Sequence, residues 1–347
     1  MLNGLLTKYP DLRTLLEQRL QQAAIENPHL ETNPVRTVKD WCAYVERFAH
    51  SMPWQTMDIG EDASFFRRID QNIGYFYFLL GDLQYEPRIA QWLKAYNTAW
   101  GKWLSSPDSW NDEYYHLALA DPLFELHTDR YESPDNWHSW NDFFARRLNH
   151  KLPITNDQFV APCDGEIAFS PVKTATIANW LDLLGDSAYR DTFAKGETFH
   201  IVLDVFDYHR FHLPCDGTLL ECKTIQGIHA GGGTIIWDEA ENRYRYEQCG
   251  VTDFQMMETR GVLVIDTPAF GKIALVAVGV QQVSSVQWTF DHTPYTIHHT
   301  PLLLRQGAEL GKFLFGGSDV VLFFEPGKAP HISPKSVKVG DPLIENR

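Results

Sequence analysis

Residues Val262 to Val280 read V-L-V-I-D-T-P-A-F-G-K-I-A-L-V-A-V-G-V. Two short apolar runs rich in β-branched side chains, Val262–Asp266 and Ile273–Val280, flank a segment carrying Asp, Pro and Gly. That grammar describes strands separated by turn residues. Thr198–Asp204 and Val320–Phe324 repeat it, and short β-type segments run from about Phe159 onward. One helix is expected among them, with Ile177, Leu181 and Leu184 on a face and Gly185 closing it. Gly231-Gly232-Gly233-Thr234 is followed by no Gly-Lys-Ser/Thr, so it reads as a flexible loop and not as a phosphate cradle.

Upstream the period changes from two to that of a helix. Leu12, Leu15, Leu16 and Leu20 fall on one helical face, as do Val38, Trp41, Val45 and Phe48. Ile69, Ile73, Phe76 and Leu80 continue the pattern, followed by Trp92, Tyr96 and Trp100. Asn27-Pro28 and Asn33-Pro34 break the helices between them. Such aromatic stripes are core positions first; the competing reading has some of them lining a pocket that faces the β region. The expected fold class is α+β: a helical amino-terminal domain over residues 1–119, a connecting segment over 120–158, and a mainly antiparallel β domain over 159–347.

Composition narrows the function. The chain has 347 residues, 44% hydrophobic and 13% aromatic, and a formal net charge of -15. An acidic chain without clustered Lys and Arg is a poor partner for nucleic acid or anionic lipid. No run of eighteen apolar residues and no secretory signal is read, so no membrane span is expected. Five cysteines without paired C-x-x-C spacing suit a reduced, cytoplasmic setting.

Three segments concentrate reactive groups. They are Ala161-Pro-Cys-Asp-Gly165, Asp207-Tyr-His-Arg-Phe-His-Leu-Pro214, and Gly311-Lys-Phe-Leu-Phe-Gly-Gly-Ser-Asp319. An Asp, two histidines and a Ser in a Gly-rich turn are the inventory of an activated hydroxyl nucleophile. Asp164-Gly165 and Asp216-Gly217 are equally read as turns. His209 and His212 could also be metal ligands. Strand alternation would send residues three apart to opposite faces, and no third ligand stands at a zinc-like spacing, so no metal is expected.

The segment D-Y-H-R-F-H-L-P over 207–214 resembles the histidine motif of the phosphatidylserine decarboxylase family. W-N-D-F-F-A-R-R-L over 140–148 is similar to that family's entry segment, and Pro162–Gly165 to its P-x-D-G turn. Thr259-Arg260 with the two apolar runs after it resembles its central β region, and Q-G-A-E-L-G-K-F-L-F-G-G-S-D-V-V-L-F-F-E-P over 306–326 its processing site. The resemblance is colinear from about Trp137 to Pro326.

The resemblance implies that Ser318 attacks the Gly317 carbonyl, cutting the chain into self-associated β (1–317) and α (318–347) chains and converting Ser318 into a pyruvoyl cofactor. It implies His212 as the base, oriented by Asp164, and His209 as the donor that protonates the substrate's α-carbon. It also implies a Schiff base between a substrate amine and the pyruvoyl ketone, and a homodimer. Glycines at 316 and 317 suit an unusual backbone at the attacked bond. The family commonly has Ser or Thr after the cleaved Ser, whereas this chain has Asp319. A carboxylate there could alter cleavage or the charge at the ketone, which leaves open an uncut relative with a binding role. The helical amino-terminal region resembles the soluble branch that decarboxylates free amino acids, so a free L-amino acid is expected, aromatic ones slightly favoured, with phosphatidylserine as the alternative substrate.

Overall fold

The computed structural model describes residues 2–55, 64–152, 159–171, 180–248, 256–280, 282, 284–292, 301–333 and 335–344. The helices are α1 (Leu2–Lys8), α2 (Pro10–Glu26), α3 (Val38–Phe48), α4 (Phe65–Leu80), α5 (Pro87–Trp103), α6 (Asp112–Ala120) and α7 (Trp140–Phe144). From α2 on, each start has a local cause. Pro10 opens α2, a Thr37–Asp40 capping box opens α3, and Ser64, Glu86, Asn111 and Ser139 cap α4 to α7. The expected stripes of α3, α4 and α5 are buried throughout. In α2 the buried face is Leu12, Leu16, Leu20 and Ala23, while Leu15 lies 38% exposed. The residues after Ala120 are not all irregular, since single 3-10 turns form at Pro122–Phe124 and Pro134–Asn136.

The strands are β1 (Gly165–Pro171), β2 (Glu197–Leu203), β3 (Arg210–His212), β4 (Gly217–Ile225), β5 (Gly233–Asp238), β6 (Arg243–Gln248), β7 (Thr259–Thr267), β8 (Gly271–Val280), β9 (Gln287–Trp288), β10 (Leu303–Leu304), β11 (Glu309–Lys312), β12 (Gly317–Phe324) and β13 (Lys335–Val337). Eight form one antiparallel sheet in the order β10-β4-β7-β8-β12-β2-β1-β13. Its central strands are apolar on both sides, as expected of a sheet covered on two faces. One face, with Ile201, Leu275 and Leu322, packs under the small sheet β3-β11-β9. The other, with Val276, Val278 and Val321, is covered by Trp180, Leu183, Leu184 and Phe193. The helix expected to end at Gly185 is a 3-10 turn over Trp180–Leu184, with Gly185 left-handed at φ 55°; Ile177 lies outside the described residues.

Helices and sheet share a core: Val205, Tyr208, Tyr246 and Phe315 are buried in the same apolar cluster as α2 to α5. The hairpin β5–β6 grips α4, because the Gln71 side chain bonds the Tyr246 backbone through both its amide atoms. The triple-glycine segment is therefore not loose. Gln84 bonds both the N–H and the carbonyl of Gly231, and a Cβ there would meet the Tyr77 ring at 2.6 Å. Glycine serves close approach here, not mobility.

Candidate active site

Ser318 lies one residue into β12, hydrogen-bonded into the sheet between Leu203 of β2 and Gly279 of β8. It is only 1% exposed. The turn before it is held from two sides, by Leu314 N–H on Ser285 Oγ (3.1 Å) and Phe315 N–H on Asn141 Oδ1 (3.0 Å). Phe315 is wedged between Trp100, Trp140 and Phe144, all edge-on at 5.2 to 5.7 Å. Gly316 has φ 149°, a conformation that a side chain disfavours.

Topology brings His209 to the serine. β2 ends at Leu203, the register partner of Ser318. The chain then turns through Asp204–Asp207, where Asp207 Oδ2 accepts the Asp204 N–H at 2.9 Å. His209 Nδ1 comes to 3.3 Å from Ser318 Oγ. The imidazole stacks on Phe144, with centroids 3.8 Å apart and planes 16° apart, so α7 fixes its plane. Complete burial, reinforced by the Arg146 charge, pushes its pKa down to about 3. His209 is therefore neutral at physiological pH. With Nδ1 as the acceptor for the serine hydroxyl, the proton sits on Nε2.

His212 faces elsewhere. Its Nδ1 lies 3.0 Å from the Gly307 carbonyl, which can only accept, so Nδ1 carries the proton. Nε2 then accepts from the Tyr208 hydroxyl at 2.9 Å. Burial lowers this pKa as well. The Tyr208–His212 pair borders a cavity of about 530 Å³ whose rim carries Arg147, Lys151 and Arg305. The two histidines thus work on two sides of one short segment.

Asp164 is fully buried and ties three segments together. It accepts from Arg130 Nη2 (2.6 Å), Val339 N (2.8 Å) and Tyr208 N (3.3 Å), with Lys338 Nζ at 3.5 Å. Among the described residues it makes no hydrogen bond to either histidine, and His212 makes none to Ser318. The arrangement implied by the resemblance, Asp164 orienting His212 against Ser318, is thus not the one observed. Ser318 meets His209, and Asp164 acts on the backbone that carries the histidines. Neighbouring Asp207 has its pKa raised to about 7, by burial and then by the Asp164 charge.

Asp319 projects to the opposite face from Ser318, as strand alternation requires. There its Oδ2 lies 3.2 Å from His200 Nε2 of β2, both side chains being almost wholly buried. The charge expected beside the serine is thus turned away from it. Sequence reasoning gave no role to Phe144, Asn141 or Ser285. The first two lie in the entry segment W-N-D-F-F-A-R-R-L, so a signal for them existed; Ser285 had none.

Comparison with known proteins bears on this arrangement. Residues 140–345 match the model of the phosphatidylserine decarboxylase family. "Phosphatidylserine decarboxylase proenzyme 2" of Oryza sativa is 29% identical over 248 residues, covering 67% of this chain and 36% of the rice protein. "Phosphatidylserine decarboxylase proenzyme" of Chlamydia muridarum is 31% identical over 204 residues, covering 54% of this chain and 60% of its own length. The protein of that name from Anaeromyxobacter is 32% identical over 235 residues, 60% of this chain and 79% of the relative. The chain thus spans about a third of the rice protein's length and three-fifths of the chlamydial one. The matched span takes in every residue from α7 to Leu343, including the serine, both histidines and Asp164, and the chain belongs to the phosphatidylserine decarboxylase family.

Proposed function

We propose that this chain is a self-processing carboxy-lyase that cuts itself between Gly317 and Ser318 and removes CO₂ from the serine headgroup of phosphatidylserine. The observation that carries the reading is the buried Ser318 Oγ, 3.3 Å from the Nδ1 of a neutral histidine and preceded by a glycine at φ 149°. His209 Nδ1 takes the hydroxyl proton as Oγ bonds to the Gly317 carbonyl carbon. The Gly317–Ser318 C–N bond then breaks, the nitrogen regains a proton, and an ester remains. Loss of the Ser318 α-proton breaks the Cβ–Oγ bond and frees a Gly317 carboxylate. Water then replaces the nitrogen of residue 318, which leaves as ammonia, and a pyruvoyl group remains.

Ser318 fits that fate. It is closed off from bulk water, and its oxygen faces a base that stays neutral. Pyruvoyl supplies an electrophilic ketone that draws electrons as a carboxylate departs from a bound amine. This chain's own contribution is to hold residue 318 against His209, and His209 against Phe144.

The names of the relatives favour phosphatidylserine over the free L-amino acid expected from the helical amino-terminal region. Among the described residues no helix is long and apolar enough to cross a membrane. A free amino acid stays as the second reading because α5 and α7 close over the turn before Ser318 with Trp100, Trp140 and Phe144, and a closed site suits a small substrate. Mass spectrometry of the purified protein tests the processing: fragments 1–317 and 318–347, the latter capped by a ketone, are expected, and a chain that stays whole overturns it. CO₂ release from phosphatidylserine vesicles against free L-amino acids decides the substrate. Release from amino acids alone would overturn the lipid reading.

A further inference from the structure

We propose that the Asp319–His200 pair is a positioning device for the chain end created by cleavage, and that it acts after the cut and not before it. The inference rests on the reading of Gly317–Ser318 as the cleaved bond.

The geometry comes from the register of three strands. Ser318 pairs with Leu203 and Gly279; Asp319 pairs with Val202 and Val278. Residue 318 therefore faces His209, and residue 319 faces the apolar layer of Val278, Val321 and Trp180 on the other side of the sheet. A carboxylate on that side is expensive unless it is met by an opposite charge or a donor. His200, two residues from Val202 on β2 and opposite Val321, brings Nε2 to 3.2 Å from Asp319 Oδ2. That is an ion-pair distance, charged on the histidine side only when the ring is protonated and not aligned as a hydrogen bond. Trp180 packs edge-on against the His200 ring at 5.3 Å and covers the pair.

Before cleavage, residue 318 is tethered from both directions. Upstream, the turn is clamped by Ser285 and Asn141 through the amides of Leu314 and Phe315. The cut removes that tether, and conversion of Ser318 to a keto acyl group removes its backbone N–H, so the first amide of the new chain belongs to Asp319. Strand ends fray first. In a strand the side-chain period is two, so a twist or one-residue slip at the new end would carry residue 318 from the His209 face to the Trp180 face. The buried pair forbids that motion. Holding Asp319 on one face keeps residue 318 on the other.

The test separates the two stages. Asp319→Ala and His200→Ala are expected to cut with half-times within about twofold of wild type, because the precursor is held from both sides. The fully cut proteins should keep the wild-type count of ketone, titrated with phenylhydrazine. Their kcat should fall by about tenfold or more with KM within about twofold, since a misplacement of ~1 Å at a reacting group can cost 10²-fold. His200→Gln, which retains a donor near the carboxylate, should recover part of the loss; a merely structural role predicts no such rescue. Should Asp319→Ala fail to fold, isosteric Asp319→Asn provides the same comparison. Wild-type kcat in the cut variants, or equal slowing of cleavage and turnover, would overturn the proposal alone. A wild-type chain that never cuts would overturn the cleavage reading and this proposal with it.

Discussion

Replacing His209 with Ala separates the observed geometry from the arrangement implied by family resemblance. His209 is the histidine that touches the proposed nucleophile, with Nδ1 at 3.3 Å from Ser318 Oγ. Removing a positioned general base costs about 10²–10⁴ in rate, and that is the slowing expected for self-cleavage. The environment also sets the pH profile. Burial drops the pKa from 6.5 to about 3, so the base form is present above about pH 3 and is lost only as pH falls through that value. Cleavage by the wild type should therefore be flat from about pH 5 to 8, whereas a histidine of ordinary pKa would lose rate below about 6.5. The same displacement disfavours the imidazolium, so His209 is a weak base. The assay is a time course of chain cutting on gels after synthesis in a cell-free system, buffered across that range. His212→Ala should still cut, within about tenfold of wild type, because its ring bonds go to Tyr208 and Gly307. The reasoning is refuted if His212→Ala stays whole while His209→Ala cuts at the wild-type rate.

Two further outcomes follow from the same neighbourhood. Asp207 has its pKa raised from 3.8 to about 7, so the native state holds a proton that the unfolded chain has lost. Its contribution is present at low pH and disappears as pH rises through about 7. Asp207→Asn, which does not titrate, should therefore be more stable relative to wild type at pH 8 than at pH 5, by about 2–3 kcal/mol of unfolding free energy measured in denaturant; a difference constant with pH would remove the effect. Gly316→Ala forces a side chain into φ 149°, a strain of about 1–3 kcal/mol at the turn that presents the scissile carbonyl. It should cut more slowly on the same gels while folding as wild type by circular dichroism, and unchanged cutting would show that the turn tolerates a Cβ.

Much of the fold was legible because period is a local property. The stripes of α3 to α5 are buried residue for residue, and the apolar runs from Val262 onward lie inside β7 and β8. The errors fall where a third element decides. Leu15 stands on the expected face of α2 yet is exposed, because α2 turns Leu12, Leu16, Leu20 and Ala23 inward. The glycines at 231 and 233 looked like slack and are points of contact with α4. At the site, residue types were readable and directions were not. Ser318 and His209 meet, but nothing in D-Y-H-R-F-H-L-P says which histidine faces the serine, since that depends on where β2 ends relative to β12. For Asp319 the information was present. Alternation in a strand already assigns neighbours 318 and 319 to opposite faces, and adjacency in sequence was mistaken for adjacency at the reacting atoms.

β12 is an interior strand, paired along its length with β8 on one side and β2 on the other, and β13 further on pairs with β1. Once the proposed cut is made, residues 318–347 are a separate peptide woven through the middle of another. The precursor can find this fold as a single chain, whatever its concentration. The mature protein cannot, because after denaturation two molecules must meet and the small one must thread between strands that would otherwise close on each other. Cleavage would thus convert a fold that can be re-entered into one that is only kept, protected by its unfolding barrier and not by its ability to reform. A mature enzyme that recovers from denaturant in a concentration-independent way would be incompatible with that history.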